Sequence, residues 1–226
     1  FYNQIGIYDV FSKNPSNKFS NHKRNVFPKN KISPFLKIDK KKKLSDLKNK
    51  ISKIPCSLKE TSTNLVFSNG NPESDVMVIG DVPGKEEDRT GKPFVGNSGK
   101  LIRLMLDCID LNENNCYFSN LIFWRPPGNR SPNSEEIEIC LPYTKIHIDI
   151  IKPKLLILLG GLTAKAILNT SKNITELVKL ESFYQYSEKK IKTLVIFHPS
   201  FLINNPIEKK RTWFALSEIS RTIKNE

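Results

Sequence analysis

Three stretches of the chain carry the polar side chains best suited to chemistry, and they lie far apart in sequence. The first, GDVPGKEEDRTGKPFVGNSG (residues 80–99), holds carboxylates at Asp81, Glu86, Glu87 and Asp88, an aromatic at Phe94 and five glycines with two prolines. So many turn residues make a shaped loop that lets the backbone approach a ligand, although a polar surface loop would use the same residue types. It is neither a phosphate-binding Walker loop, since no GKS or GKT is present, nor a dinucleotide fingerprint. The second, SNLIFWRPPGNRSPNSEE, offers Asn120, whose amide can present a donor and an acceptor to a planar heterocycle. An amide at that place can equally satisfy local backbone. A basic turn follows, built from Arg125, Arg130 and the Pro126–Pro127 pair. The third, FHPSFLINNP, places His198 before a proline, with Ser200 and the apolar Phe201, Leu202 and Ile203 behind it. His198 is one of three histidines. A lone histidine is often structural, but one sharing a sheet edge with a carboxylate and an amide is a candidate acid, base or donor.

The elements between these stretches must supply that shared edge. DVMVIG (75–80), CYFSNLIF (116–123), KLLILLG (154–160) and TLVIF (193–197) are short and nearly continuous in apolar residues, the pattern of strands buried on both faces. Helical stretches separate them: 97–109, 134–151 with Ser134 as a cap and Pro142 as an interruption, 161–168, and roughly 206–223. Repeated βα units predict a parallel sheet covered on both faces, a three-layer α/β/α fold with a central four-stranded parallel sheet. Ligands of such sheets sit at the carboxyl ends of the strands, where Asp81, Asn120 and His198 fall.

Charge divides the chain in two. The formal net charge is +13, of which residues 1–50 contribute +10. Residues 1–43 are read as a flexible basic segment ending in the run Lys40–Lys43, and residues 44–226 as the folded domain. Leu44, Leu47 and Ile51 have helical spacing and predict a short amphipathic lead-in helix. A basic tail on a near-neutral domain suits a nucleic-acid partner through counterion release, and is also what a plain solvated segment looks like. No run of eighteen apolar residues appears, so no membrane span is expected. The opening FYNQIGIYDVF lacks the order of a signal peptide, and Cys56, Cys108, Cys116 and Cys140 form no CxxC pair. A reduced, cytoplasmic, monomeric protein is expected.

Taken together and in order, GDVPGKEEDRTGKPFVG, SNLIFWRPPGNR and HPSFLIN resemble the motifs of the family 4 uracil-DNA glycosylases of bacteria and archaea. The resemblance runs from about Leu44 to the C-terminus. It implies base-excision repair of uracil-containing DNA: the enzyme extrudes uracil from the duplex and hydrolyses its bond to deoxyribose. In this light Phe94 would stack on the flipped base beside Gly80, and Asn120 would bond O4 and N3–H. Glu87 would lie beside C5, excluding the thymine methyl. His198 would donate to O2 of the leaving uracil, and Asp81 would orient or activate the attacking water. Arg125, Arg130 and Ser200 would contact DNA, with Phe201, Leu202 and Ile203 as an apolar wedge.

Three departures from the family pattern stand out. Asp81 occupies a position where the family has Glu, one methylene longer. Asn204 stands where Arg is frequent. The family's four-iron–four-sulfur cluster is held by four cysteines, and the matching positions here are Lys53, Cys56, Trp124 and Cys140. Lysine and tryptophan do not ligate iron as thiolate does, so no cluster and no metal is expected, and none is required for the chemistry. These departures keep two further readings open: a non-catalytic DNA-binding relative, and a glycosylase for other deaminated bases such as hypoxanthine or xanthine.

Overall fold

The computed structural model of the chain describes residues 34–186 and 189–225. Most of the basic segment, residues 1–33, lies outside the described residues. The described residues open with α1 (Pro34–Ile51) and a single-turn helix α2 (Leu58–Thr61), then a short strand β1 (Asn69–Gly70) and strand β2 (Val76–Gly80). Helices α3 (Lys85–Thr90) and α4 (Asn97–Asp107) lead to β3 (Cys116–Asn120), a 3-10 turn at Pro127–Asn129 and the long α5 (Ser134–Ile151). Next come β4 (Leu155–Leu159), α6 (Gly161–Leu168), α7 (Ile174–Leu177), β5 (Ser182–Tyr186) and β6 (Lys189–Ile196). Helices α8 (Pro199–Asn204) and α9 (Pro206–Asn225) end the chain. No helix among the described residues is long and apolar enough to cross a membrane.

Among the described residues the sheet has six strands in the order β1-β3-β2-β4-β6-β5. Its centre, β3-β2-β4-β6, is parallel, the four strands expected from the apolar runs. The sequence reading missed the two antiparallel edges, β1 on β3 and β5 on β6. Two residues of β1 carry no periodic signal, and β5, SFYQY, mixes polar and aromatic residues as an exposed edge does.

Alternation along the strands makes two cores. Met77, Ile79, Tyr117, Leu156, Leu158 and Val195 join one cluster with Leu44, Leu47 and Ile51 of α1, Ile148 of α5 and Ile167 of α6. Val76, Val78, Phe118 and Ile157 are equally buried on the opposite face. There α4 lies over the sheet, its Arg103 guanidinium 4.9 Å above the Phe118 ring.

Two helix boundaries depart from the sequence reading. Helix α1 begins at Pro34, ahead of Leu44, so the Lys40–Lys43 run is helical rather than flexible. Lys40 docks there: its ammonium donates to Ile151 O at 2.9 Å, at the carboxyl end of α5, and sits 3.3 Å from Glu73. A cation at a helix carboxyl end meets unpaired carbonyls and the negative end of the dipole. Pro142 does not interrupt α5. It is exposed, while Cys140, Thr144, His147 and Ile148 around it are buried, and that packing outweighs the roughly 3 kcal/mol cost of an internal proline.

Candidate active site

The carboxyl ends of β2 and β3 are in register, with Gly80 opposite Asn120. Leu121 N–H donates to Gly80 O at 2.8 Å and Ile122 N–H to Asp81 O at 3.1 Å, so the pairing continues past the strand ends. The Thr144 hydroxyl of α5 donates to Leu121 O at 2.9 Å and fixes the chain just beyond Asn120. This register puts the Asn120 side chain beside a residue with no side chain. A Cβ on Gly80 would lie 2.8 Å from Asn120 Oδ1 and 2.9 Å from Phe94 Cζ. Asn120 is only 3% exposed, and no side-chain hydrogen bond joins it to protein among the described residues. An amide that buried ordinarily has partners. Here it packs, together with the Phe94 ring, directly over the bare Cα of Gly80.

Phe94 is locked from three sides. Its backbone is left-handed at φ 59°, a sparsely populated state that persists when surroundings over-determine it. Its carbonyl accepts from Arg103 Nε at 2.8 Å, and its ring packs edge-on against Phe118 at 5.8 Å. Gly99, in the first turn of α4, permits the fit, because a Cβ there would come within 2.2 Å of the Phe94 carbonyl carbon. Two carboxylates hold the rest of the loop. Glu87 accepts from Gly84 N–H at 3.1 Å, Val95 N–H at 2.9 Å and Gly96 N–H at 2.7 Å. Asp88 accepts from Thr63 and Asn64 N–H at 2.8 and 3.0 Å. The Glu87 carboxylate thus braces the loop that presents Phe94 rather than projecting freely toward a base.

The second half of the site forms one residue along. After β4, Gly160 turns the chain at φ +98° into α6; a Cβ here would lie 2.9 Å from Asp81 Oδ2 and 3.2 Å from His198 Cβ. Asp81 and His198 therefore share the space over Gly160, as Asn120 and Phe94 share that over Gly80. Because Gly80 and Asp81 are consecutive, about 3.8 Å apart at Cα, the two pairs form one site. Asp81 Oδ1 accepts from Thr163 N–H at 3.1 Å and from the Thr163 hydroxyl at 2.5 Å. Burial holds the Asp81 carboxyl above the ordinary carboxylate range, and the facing His198 and the Thr163 donors pull it part of the way back. His198 caps α8: its Nδ1 accepts from Ser200 N–H at 3.3 Å and lies 2.6 Å from Ser200 Oγ. With Nδ1 accepting, the ring proton is assigned to Nε2, which makes that nitrogen a donor.

The other residues singled out from sequence fall outside this cluster. Arg125 bonds Asn129 Oδ1 through Nε at 2.8 Å, bracing the turn. Arg130 makes a two-pronged ion pair with Glu136, at 2.9 and 2.6 Å. Glu136 in turn completes a capping box with Asn133 at the start of α5, so Arg130 serves the helix cap. Along α8, Leu202 is fully buried, whereas Phe201 and Ile203 are each 42% exposed. The outward apolar surface of this segment is thus Phe201 and Ile203, because helical spacing turns Leu202 into the core. Phe201 stacks on Phe197 at 5.1 Å.

The positions matching the family's cluster do not fit one. Lys53 is exposed, while Trp124 is 3% exposed and packs edge-on against Phe123 at 6.3 Å. Cys56 and Cys140 lie in the same apolar core. Burial, with the Cys56 thiol alongside, pushes the Cys140 thiol up to about 12, and the lysine and indole at the other two positions offer iron no thiolate. Among the described residues no three His, Cys, Asp or Glu side chains come together as a metal site.

Sequence reasoning missed Gly160 and Thr163. Gly160 ends the third apolar run and Thr163 follows in the first turn of α6, so the rule that directs attention to strand ends applied there as well.

Residues 67–217 match the Uracil DNA glycosylase superfamily. Curated relatives include the type-4 uracil-DNA glycosylases of Sulfurisphaera tokodaii, 35% identical over 69% of this chain and 73% of that protein, and of Archaeoglobus fulgidus, 35% identical over 67% and 78%. That of Thermotoga maritima is 33% identical over 66% of this chain and 77% of its own. A site in which the paired ends of four parallel strands gather a carboxylate, an amide, an aromatic and an imidazole, carried on a sequence this similar, makes the chain a member of the type-4 family of uracil-DNA glycosylases.

Proposed function

We propose that the chain is a uracil-DNA glycosylase of base-excision repair, which extrudes uracil from DNA and hydrolyses its N-glycosidic bond, leaving an abasic site. The observation that carries this reading is the double convergence of Asn120 with Phe94 over Gly80 and of Asp81 with His198 over Gly160.

In this reading uracil stacks on Phe94, and the Asn120 amide bonds O4 and N3–H, the edge that separates uracil from cytosine. The absence of a side chain at Gly80 lets Asn120 and Phe94 draw together so that both can meet one base. Glu87 acts through the loop it braces, fixing the wall near C5. The bond between N1 and C1′ breaks; its electron pair leaves with uracil, and the charge gathers on O2, where His198 Nε2–H donates. The sugar becomes an oxocarbenium ion, favoured by the Asp81 carboxylate. Water held by Asp81 adds to C1′ and gives up its proton there. Phe201 and Ile203 fill the gap left in the duplex, while Arg125 and Ser200 face the backbone. Each step is carried by side chains, so no metal takes part, and the replaced ligands at Lys53 and Trp124 support a protein without the iron–sulfur cluster. The protein acts as a monomer in the cytoplasm.

Single-turnover incubation with a uracil-containing oligonucleotide, read as alkali-labile abasic product, tests this. Substrates with hypoxanthine or xanthine in place of uracil should stay intact. Tight binding without abasic product on any of them would instead favour a non-catalytic DNA-binding relative. Stoichiometric iron and sulfide in anaerobically purified protein would overturn the cluster-free reading.

A further inference from the structure

We infer that Thr163 is a positioning residue for excision: with the turn at Gly160 it clamps one oxygen of Asp81 and dedicates the other to the reacting sugar and water. The inference rests on the role proposed for Asp81 and deepens it.

Three observations carry it. Both Thr163 donors, the backbone N–H at 3.1 Å and the hydroxyl at 2.5 Å, land on the same oxygen, Oδ1. Among the described residues Oδ2 has no such partner, and it is the atom nearest the Cβ direction of Gly160, at 2.9 Å, on the side where His198 lies. Thr163 is 0% exposed, so water cannot stand in for its hydroxyl.

The sequence explains why this clamp exists. Thr163 lies in the first turn of α6, where backbone N–H groups lack intrahelical acceptors. A carboxylate arriving from the end of β2 caps one of them across the sheet. Gly160 allows this approach, since at φ +98° a side chain would be strained and would also strike Asp81 and His198. Two donors on one oxygen remove rotation about the carboxylate's last torsion. An aspartate, shorter than glutamate, has one fewer torsion to fix, so the clamp sets it in a single orientation. A misplacement near 1 Å can cost on the order of a hundredfold in rate, so orientation at this carboxyl is a kinetic quantity.

The groups facing Asp81 are His198 from the start of α8 and Thr163 from α6. The Thr163 bonds favour the ionised carboxyl, so removing the hydroxyl raises the pH at which Asp81 becomes charged.

The test compares parent, Thr163→Val, Thr163→Ser and Asp81→Asn in single-turnover excision across pH, with affinity measured on uracil-free duplex. Thr163→Val should slow excision about ten- to a hundredfold, the scale of one charge-assisted hydrogen bond. It should move the acid limb of the rate profile to higher pH and leave DNA affinity unchanged. Thr163→Ser should restore both rate and profile. A Thr163→Val protein with parental rate and acid limb, beside a slow Asp81→Asn, overturns the clamp while the role of Asp81 stands. A fully active Asp81→Asn sinks that role and the clamp with it. A carbon NMR titration of the Asp81 carboxyl needs no turnover and serves if the valine variant is unstable: its pKa should rise in Thr163→Ala, and an unchanged value overturns the inference.

Discussion

A methyl group on Gly80 would meet Asn120 Oδ1 at 2.8 Å and the Phe94 ring at 2.9 Å, both below any normal contact. Both neighbours are held, Phe94 by its carbonyl bond and ring packing, Asn120 by a strand in register, so neither can give way cheaply. Gly80→Ala should therefore cut excision by on the order of a hundredfold or more and also lower the melting temperature, because a methyl forced between two held, buried groups costs about 1–3 kcal/mol. Full activity of this variant in the oligonucleotide assay would show that the base binds elsewhere. In the proposed reaction His198 donates to the charge developing on the leaving base, and such donors are worth about a hundred- to a thousandfold. His198→Ala should lose that factor in the chemical step, with affinity for uracil-free DNA retained by fluorescence anisotropy. Loss of affinity without loss of rate would reassign it to DNA binding.

Among the elements, the loop from Gly80 to Gly99 is held by two buried carboxylates as well as by its glycines. Glu87 collects three backbone amides from both ends of the loop. Deleting that carboxylate leaves buried donors unpaired at roughly 1–3 kcal/mol. Glu87→Ala should lower the urea midpoint accordingly and weaken substrate binding through a looser Phe94, while Glu87→Gln, which keeps two acceptor sites on one oxygen, should lose less. Equal stability and affinity in parent and alanine variant would count against the brace. The sequence marked this segment as functional from its turn residues. It did not show that Glu87 faces the loop, because three residues contacting one carboxylate from positions up to nine apart is a property of the folded loop.

Across the whole molecule, the least expected titrating group is His147, fully buried on α5. It stacks on Phe67 at 4.5 Å and accepts or donates at 2.8 Å with the Tyr117 hydroxyl. Burial pushes its pKa down to about 3, whereas the unfolded chain protonates its histidines near the ordinary value of about 6.5. The unfolded state therefore binds the proton first as pH falls. The stability held above the ordinary value is lost progressively down to about 3, by up to several kcal/mol. Urea unfolding across that window should show a falling midpoint in the parent and a flatter one in His147→Phe, which keeps the ring stack without the titration. Parallel slopes for the two proteins would place the acid sensitivity elsewhere.

The four parallel strands were legible because burial on both faces forces near-continuous apolar runs, and the strand-end rule then pointed to Asp81, Asn120 and His198 from their positions alone. Residue order and type thus determined the fold class, the strand ends at which the candidate residues gather, and the family. Tertiary structure decided which candidates meet. It turned Leu202 inward and Phe201 outward, tied Arg130 to Glu136, and brought Thr163 of α6 onto Asp81 across 82 residues. Those outcomes depend on strand register and on the direction each helix turns its side chains. Both are fixed by packing the whole sheet at once, which no local stretch of sequence encodes.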